Sequence, residues 1–205
     1  DSMARQAHDA AEAGATVVRG VDGWLFFAPE LRSLSVGEFW GTRAAAVSRA
    51  ADPNHADPTP AIRDFHTQLE TAGIELIFVP VPAKAAIYAE AVAPDWVDVT
   101  SHVGSLYQRI DGRQARFYDL LRELGVRVLD LAPAFLAHRE ESDEILYCRQ
   151  DTHWSGAGVQ IAAAEIAKIV RAKGWTADVT THRFDATQLA AAITGDLWTQ
   201  LGDGT

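Results

Sequence analysis

Apolar residues follow two different spacings along the chain, and the change of spacing predicts its elements. Segments 60–73, 101–124 and 156–173 carry apolar side chains three or four residues apart, which is the spacing of one helix face. Segments 74–79 and 126–130 are short runs dominated by consecutive apolar residues, which are typical of buried strands. Helices and strands that alternate in this way predict an α/β fold with a mostly parallel sheet flanked by helices.

Shorter sequence patterns predict the elements in the rest of the chain. Residues 3–15 are alanine-rich and predict a helix, and residues 43–60 predict a helix followed by an exposed loop that contains prolines. Two apolar runs flank Asp22-Gly23, which predicts a β-hairpin because glycine supplies the positive φ that such a turn needs. The signals weaken towards the C-terminus, where residues 181–184 predict a short strand or turn and residues 188–193 a short helix.

Composition and charge narrow the function classes. The 205 residues are 48% apolar, enough to form the core of a single domain over residues 1–205. A net charge of −10 argues against nucleic acid as a partner, because nucleic acid is itself a polyanion. The single cysteine, Cys148, excludes an internal disulfide and leaves the compartment open. No apolar run reaches the ~18–20 residues that span a membrane, and no signal-peptide pattern is found.

The strongest chemical signal is Asp151-Thr152-His153, which lies just before the third long helix. In an extended segment, residues i and i+2 project to the same side with Cα atoms about 6.5–7 Å apart. A carboxylate placed there reaches the near imidazole nitrogen, fixes the tautomer and leaves the far nitrogen free to act as a base. The alternative is a helix entry whose Asp151 and His153 are ordinary surface residues.

Four further residues are candidate substrate contacts. Lys84 lies in the loop that follows the first buried strand, where an ammonium can bind an anionic group unless it is simply solvated. Tyr147 and Arg149 flank the Asp151–His153 segment, and both are equally plausible as surface residues. Trp154 can stack on a sugar ring or pack under the site. The histidines show no metal-ligand spacing, so we predict no metal.

Three sequence blocks together resemble one family. The blocks read G-V-D-G-W-L-F at residues 20–26, P-V-P-A-K-A-A-I-Y at residues 80–88, and Y-C-R-Q-D-T-H-W at residues 147–154. They are similar, in the same order, to blocks of the SGNH-hydrolase-like polysaccharide O-acetyltransferases of the alginate O-acetylation type, AlgJ and AlgX. The resemblance covers roughly residues 17–197.

The resemblance implies an SGNH-hydrolase-like fold in which the motif order is permuted. It implies transfer of acetyl groups to hydroxyls of a secreted exopolysaccharide, with Asp151 orienting His153 and His153 as the general base. No cofactor is implied. The implied partners are the polysaccharide acceptor and a membrane-bound O-acyltransferase that supplies the acetyl donor. The implied location is the periplasm, with possible anchoring to the inner membrane through an N-terminal segment outside this chain.

The serine nucleophile is the point at which the chain departs from the resemblance. In the family it lies in a Gly-x-Ser-like block beyond a further strand, and no serine here has that context. Ser155 follows His153 closely, but it is predicted to cap a helix. We therefore expect the nucleophile beyond Thr205, which makes residues 1–205 a truncated and inactive domain.

Two other functions use the same residues differently. If water replaces the sugar hydroxyl as acceptor, the protein is an acetylesterase or polysaccharide deacetylase. If no serine completes the site, the protein is a non-catalytic polysaccharide-binding or scaffold member of an export complex.

Overall fold

The elements of the fold are those of a computed structural model that describes residues 2–92, 109–180, 182–185, 187, 189 and 191–202. The helices are α1 (Ser2–Glu12), α2 (Ala28–Ser35), α3 (Thr59–Thr71), α4 (Lys84–Ile87), α5 (Ala89–Val92), α6 (Gly112–Glu123), α7 (Ala132–Glu141), α8 (Gly156–Ala172) and α9 (Asp196–Gln200). The strands are β1 (Val17–Arg19), β2 (Leu25–Phe27), β3 (Ile77–Phe78) and β4 (Arg127–Val128). In this part of the chain, no helix is long and apolar enough to cross a membrane.

The predicted hairpin is confirmed. Strands β1 and β2 pair antiparallel, with Val18 opposite Phe26. Asp22 and Gly23 form the turn at φ 51° and φ 76°, the left-handed values that two-residue hairpin turns require. A side chain at Gly20 is excluded, because a Cβ there would lie 2.3 Å from the carbonyl oxygen of Ala91. The backbone of the hairpin therefore packs directly against the backbone of α5.

The predicted parallel pairing is also present, although the strands are short. Strand β3 pairs with β4, with Ile77 opposite Arg127 and Phe78 opposite Val128. The predicted buried strand over 74–79 is wrong at its start, because Ile74 is 54% exposed. Together, the hairpin, the parallel pair and the surrounding helices form an α/β architecture.

Several other elements differ from those that the sequence predicts. Helix α7 was not predicted, although Pro133 suits its first turn. Segment 43–60 forms 3₁₀ turns in place of an α-helix. The helix predicted over 101–124 is described only from residue 109, and α6 begins at Gly112. Within 188–193, the described residues are not helical, and the short helix is α9 instead.

The main core gathers side chains from the hairpin, α4, α7 and the segment before α8. Its largest fully buried members include Phe26, Phe135 and Tyr147. The Tyr147 hydroxyl donates a hydrogen bond to the carbonyl oxygen of Pro82. The tyrosine therefore joins the loop before α4 to the segment that carries Asp151 and His153.

Lys84 is the unusual member of this core, because its side chain is charged and fully buried. Its ammonium has three N–H groups and lies within hydrogen-bond distance of four carbonyl oxygens, those of Leu25 (2.8 Å), Cys148 (2.7 Å), Arg149 (2.8 Å) and Asp151 (2.9 Å). It also lies 5.1 Å from the centroid of the Trp24 ring. One ammonium thus links β2 to the loop over residues 148–151.

Replacing Lys84 with methionine tests this anchoring role. Methionine keeps most of the side-chain volume but removes the ammonium donor from four carbonyl groups, of which those of Arg149 and Cys148 also accept the backbone amides of Leu25 and Asp151. A buried acceptor that is left unsatisfied costs about 1–3 kcal/mol. We expect Lys84→Met to lower the free energy of unfolding by about 2–4 kcal/mol in urea denaturation. The matched control is Lys168→Met, because Lys168 is 64% exposed and pairs with Glu165 on the same helix. A Lys84→Met protein as stable as the control would contradict the anchoring role.

Candidate active site

The segment that carries the candidate residues is a closed loop. Tyr147 and Trp154 form an antiparallel bridge, and the amide of Cys148 donates to the carbonyl oxygen of His153 at 3.1 Å. The extended conformation predicted for Asp151 and His153 is therefore wrong, because the chain turns between the bridged residues. The turn still brings both side chains to the same side of the loop.

The predicted hydrogen bond between the two side chains is confirmed. Asp151 Oδ1 lies 2.7 Å from His153 Nδ1 and also accepts the backbone amide of His153 at 2.9 Å. Asp151 Oδ2 accepts the backbone amide of Asp196 at 2.8 Å. Because both carboxylate oxygens have donors, the acid is held in one orientation. The imidazole is 75% exposed, whereas the carboxylate is 14% exposed.

The electrostatics of the pair favour an ionised acid and a readily protonated imidazole. Partial burial opposes ionisation of Asp151, but hydrogen bonds from the amides of His153 and Asp196 outweigh it and lower the pKa of the carboxyl group. The hydrogen bond to Asp151 raises the pKa of His153, and the charges of Asp151 and Asp196 act in the same direction. The pair therefore stabilises the imidazolium that forms when His153 accepts a proton.

Asp196 belongs to this site, although the sequence analysis missed it. Its carboxylate accepts the amide of Thr152 at 2.7 Å and the hydroxyl of Thr152 at 2.5 Å. Its Oδ2 lies 3.8 Å from His153 Nδ1. The sequence signal was an acidic residue after a glycine at the start of a short helix. That signal locates a helix start, but it does not reveal which loop the carboxylate faces.

Two of the predicted substrate contacts are buried instead. The Lys84 ammonium is 0% exposed, and its hydrogen bonds go to backbone carbonyls, so it cannot bind an anionic group at the surface. Tyr147 is 1% exposed and its hydroxyl is bonded to Pro82. The prediction of substrate contact is therefore wrong for Lys84 and Tyr147. Both side chains instead support the loop from the core side.

A partly buried acid lies behind Lys84. The carboxylate of Glu30 accepts the backbone amide of Lys84 at 3.3 Å. Burial raises the pKa of Glu30 to about 7 and lowers the pKa of Lys84 to about 8, in each case against the attraction between the two groups. The two groups attract each other beneath the loop.

Arg149 and Trp154 occupy different surroundings. Arg149 is exposed, with its guanidinium 5.8 Å from the centroid of the Trp24 ring. It lines a surface cleft of about 320 Å³, together with Asp22, Gly23, Cys148, Gln150, Asp151, Ile193 and Gly195. Trp154 is partly buried and packs on the core, its ring centroid 6.2 Å from that of Phe135. Substrate contact therefore remains open for Arg149, whereas packing accounts for much of Trp154.

Two acids and an imidazole lie close enough together at this loop to raise the question of a bound cation. Within the described ranges, ligand atoms of Asp151, His153 and Asp196 lie within 4.8 Å of one another. Hydrogen bonds from amides and from Thr152 already occupy these carboxylates, so the arrangement suits an acid–imidazole pair better than an ion.

Ser155 caps α8, as predicted: its Oγ accepts the amide of Gly158 and donates to the carbonyl of Ile145.

Comparison with known proteins gives related sequences and folds. A protein named probable alginate O-acetylase AlgJ from Pseudomonas syringae pv. tomato is 27% identical over 157 residues, which are 77% of this chain and 34% of that protein. Its namesake from Pseudomonas fluorescens is 28% identical over 157 residues, with the same coverage. The chain therefore spans about a third of the length of the curated relatives it matches.

Two solved structures share the fold. The O-acetyltransferase domain of Pseudomonas putida AlgJ matches with a TM-score of 0.58 at 24% identity, covering 88% of this chain and 56% of that one. Pseudomonas aeruginosa AlgX matches with a TM-score of 0.53 at 19% identity, covering 76% of this chain and 32% of that one. The family model described as "SGNH hydrolase-like domain, acetyltransferase AlgX" matches residues 17–204. The chain belongs to this family of SGNH hydrolase-like AlgX acetyltransferase domains and has its fold.

Proposed function

We propose that this chain supplies the general base and its orienting acid to an O-acetyltransferase that acts on a secreted exopolysaccharide. The observation that carries the proposal is the 2.7 Å contact between Asp151 Oδ1 and His153 Nδ1. A proton held on Nδ1 by this contact leaves the lone pair of Nε2 available. Among the described residues, Nε2 has no hydrogen-bond partner, so it is open to an incoming hydroxyl.

The proposed reaction has two acyl-transfer steps. In the first, a serine hydroxyl attacks the acetyl carbonyl of the donor, His153 Nε2 takes the hydroxyl proton, and the donor leaves with a proton returned from the imidazolium. In the second, a sugar hydroxyl attacks the acetyl-serine, His153 takes its proton, and the serine oxygen recovers a proton as it leaves. Asp151 keeps its charge throughout and stabilises the imidazolium in both steps.

The serine in this scheme is proposed to lie outside residues 1–205. Ser155 is committed to its capping bonds, and no other described serine is bonded to His153. We propose the periplasm as the location and a membrane-bound O-acyltransferase as the source of the acetyl group. The name of the relatives, alginate O-acetylase, supports an acidic polysaccharide of that type as acceptor.

An acetylesterase is the second candidate, and one observation favours it. The imidazole of His153 is 75% exposed, so water can approach the base as readily as a sugar can. Transfer would then depend on an acceptor that displaces water from this surface. The cleft beside Arg149 is the proposed place for such an acceptor, because it adjoins Asp151.

The first functional prediction concerns the Asp151–His153 pair in the protein expressed from its complete gene. We expect His153→Ala to lower kcat for acetyl transfer about 10²–10⁴-fold, the usual contribution of a general base. Asp151→Asn should reduce kcat in the same range, because asparagine cannot favour the Nδ1–H tautomer as a carboxylate does. Transfer of acetyl from p-nitrophenyl acetate to an oligosaccharide measures both. Near-normal turnover by His153→Ala would remove His153 from the mechanism.

The pH dependence of the same reaction follows from the direction of the pKa shift. A base works only when it is neutral, and contact with Asp151 raises the pKa of His153. The acidic limb of the kcat/KM profile should therefore lie above the ordinary histidine value of about 6.5. In any residual activity of Asp151→Asn, this limb should move to lower pH. A limb that is unchanged by the substitution would assign it to another group.

A further functional prediction concerns Arg149, whose guanidinium borders the cleft. We expect Arg149→Ala to raise KM for an oligosaccharide acceptor about tenfold with little change in kcat, since one charged hydrogen bond is worth about 1.5 kcal/mol or more. Arg171→Ala is the matched control, because Arg171 is an exposed arginine in the last turn of α8. Equal KM values for the two variants would exclude Arg149 as an acceptor contact.

A further inference from the structure

Asp196 is fixed to the site through its backbone as well as its side chain. It begins α9, and its amide donates to Asp151 Oδ2 at 2.8 Å. Asp151 therefore has one oxygen turned towards His153 and the other held by α9. Any movement of α9 would change the orientation of the carboxylate that contacts the imidazole.

The carboxylate of Asp196 orders Thr152, which lies between the acid and the base in sequence. The single hydroxyl proton of Thr152 is donated to Asp196 Oδ2, so the remaining lone pairs of Oγ1 are free to accept. Oγ1 lies 3.3 Å from His153 Nδ1. The hydroxyl oxygen thus acts as a second, weaker acceptor beside Asp151 and favours the same Nδ1–H tautomer.

Helix α9 holds Asp196 in a fixed position against the loop. At Gly195, a Cβ atom would lie 1.9 Å from the carbonyl oxygen of Gln150, so only glycine permits this approach. That carbonyl also accepts the amide of Trp198 at 3.1 Å. Leu197 is fully buried against Val17 and Leu25 of the hairpin. These contacts attach α9 both to the loop and to the core.

We infer that Asp196 is a positioning residue: through Thr152 and Asp151 it keeps the proton of His153 on Nδ1 and so presents Nε2 as the base. The inference rests on the proposed function, in which His153 is that base. Asp196 positions the His153 proton without contacting the substrate, because its carboxylate is occupied by the amide and the hydroxyl of Thr152. Among the described residues, the other charged or titratable groups at the loop include Lys84 beneath it, Glu30 behind Lys84, and Cys148 and Arg149 within it.

The substitution Asp196→Asn reverses the polarity of this arrangement. An asparagine amide donates where the carboxylate accepted, so it would donate to Thr152 Oγ1 and turn the threonine proton towards His153 Nδ1. The backbone amide of residue 196 and its bond to Asp151 are retained. Asparagine therefore removes one charge and reverses one hydrogen bond while the shape of the site is kept.

The test is ¹⁵N NMR of the His153 imidazole during a pH titration, which reads the tautomer and the pKa without any turnover. In the parent protein we expect the proton of the neutral ring on Nδ1. In Asp196→Asn we expect a mixture of tautomers and a pKa lower by about half to one unit, the effect of losing a charge about 4 Å away at an exposed site. Asp119→Asn is the charge-matched control, because Asp119 lies on α6 and is 67% exposed. We expect it to leave His153 unchanged.

An unaltered tautomer and pKa in a folded Asp196→Asn protein would overturn the inference. If that variant does not fold, Thr152→Val decides the question, because it removes only the hydroxyl link and keeps the backbone amide. A Thr152→Val ring with its proton still wholly on Nδ1 and its pKa unchanged would also overturn it. Absence of acetyl transfer by the parent protein would contradict the proposed function, whereas the NMR result would still decide the role of Asp196.

Discussion

The site depends on a buried cation that binds backbone oxygens. The loop from Tyr147 to Trp154 turns sharply, and its turn directs several carbonyl groups towards the protein interior. Buried carbonyls without donors are costly, and the backbone amides of Leu25 and Asp151 reach only two of them, those of Arg149 (2.9 Å) and Cys148 (3.4 Å). The Lys84 ammonium supplies the donors and, through Leu25, joins the loop to the hairpin. The position of Asp151 and His153 on the surface is thus determined from inside the core.

Above this anchor, the exposed part of the site is ordered by short polar contacts. Asp151 receives three N–H groups, two from His153 and one from Asp196, and Asp196 receives two donors from Thr152. An imidazole on a flexible surface loop would sample many orientations and both tautomers. Here a carboxylate with fixed orientation restricts it to one, which is the property that general-base catalysis requires.

The sequence was most informative where the chemistry is local. Hairpin turns, helix caps and an acid two residues from a histidine have short-range causes, so Asp22-Gly23, Ser155 and the Asp151–His153 contact were predicted correctly. The errors about which residues contact the substrate concern long-range packing. Lys84 begins α4 and Tyr147 lies in the segment before α8, and only the tertiary fold places them under the site. Asp196 is 45 residues from Asp151 in sequence, and no periodic pattern connects them.

The central claim is that Asp151 and His153 serve acetyl transfer to a sugar hydroxyl, and a product analysis tests it most directly. The protein expressed from its complete gene is supplied with an acetyl donor and an alginate oligosaccharide, and mass spectrometry follows acetyl groups on the sugar while free acetate is measured in parallel. The account predicts acetylated oligosaccharide from the parent protein and none from His153→Ala. Free acetate without acetylated sugar would identify an esterase, and neither product would identify a non-catalytic protein; both results would contradict the claim.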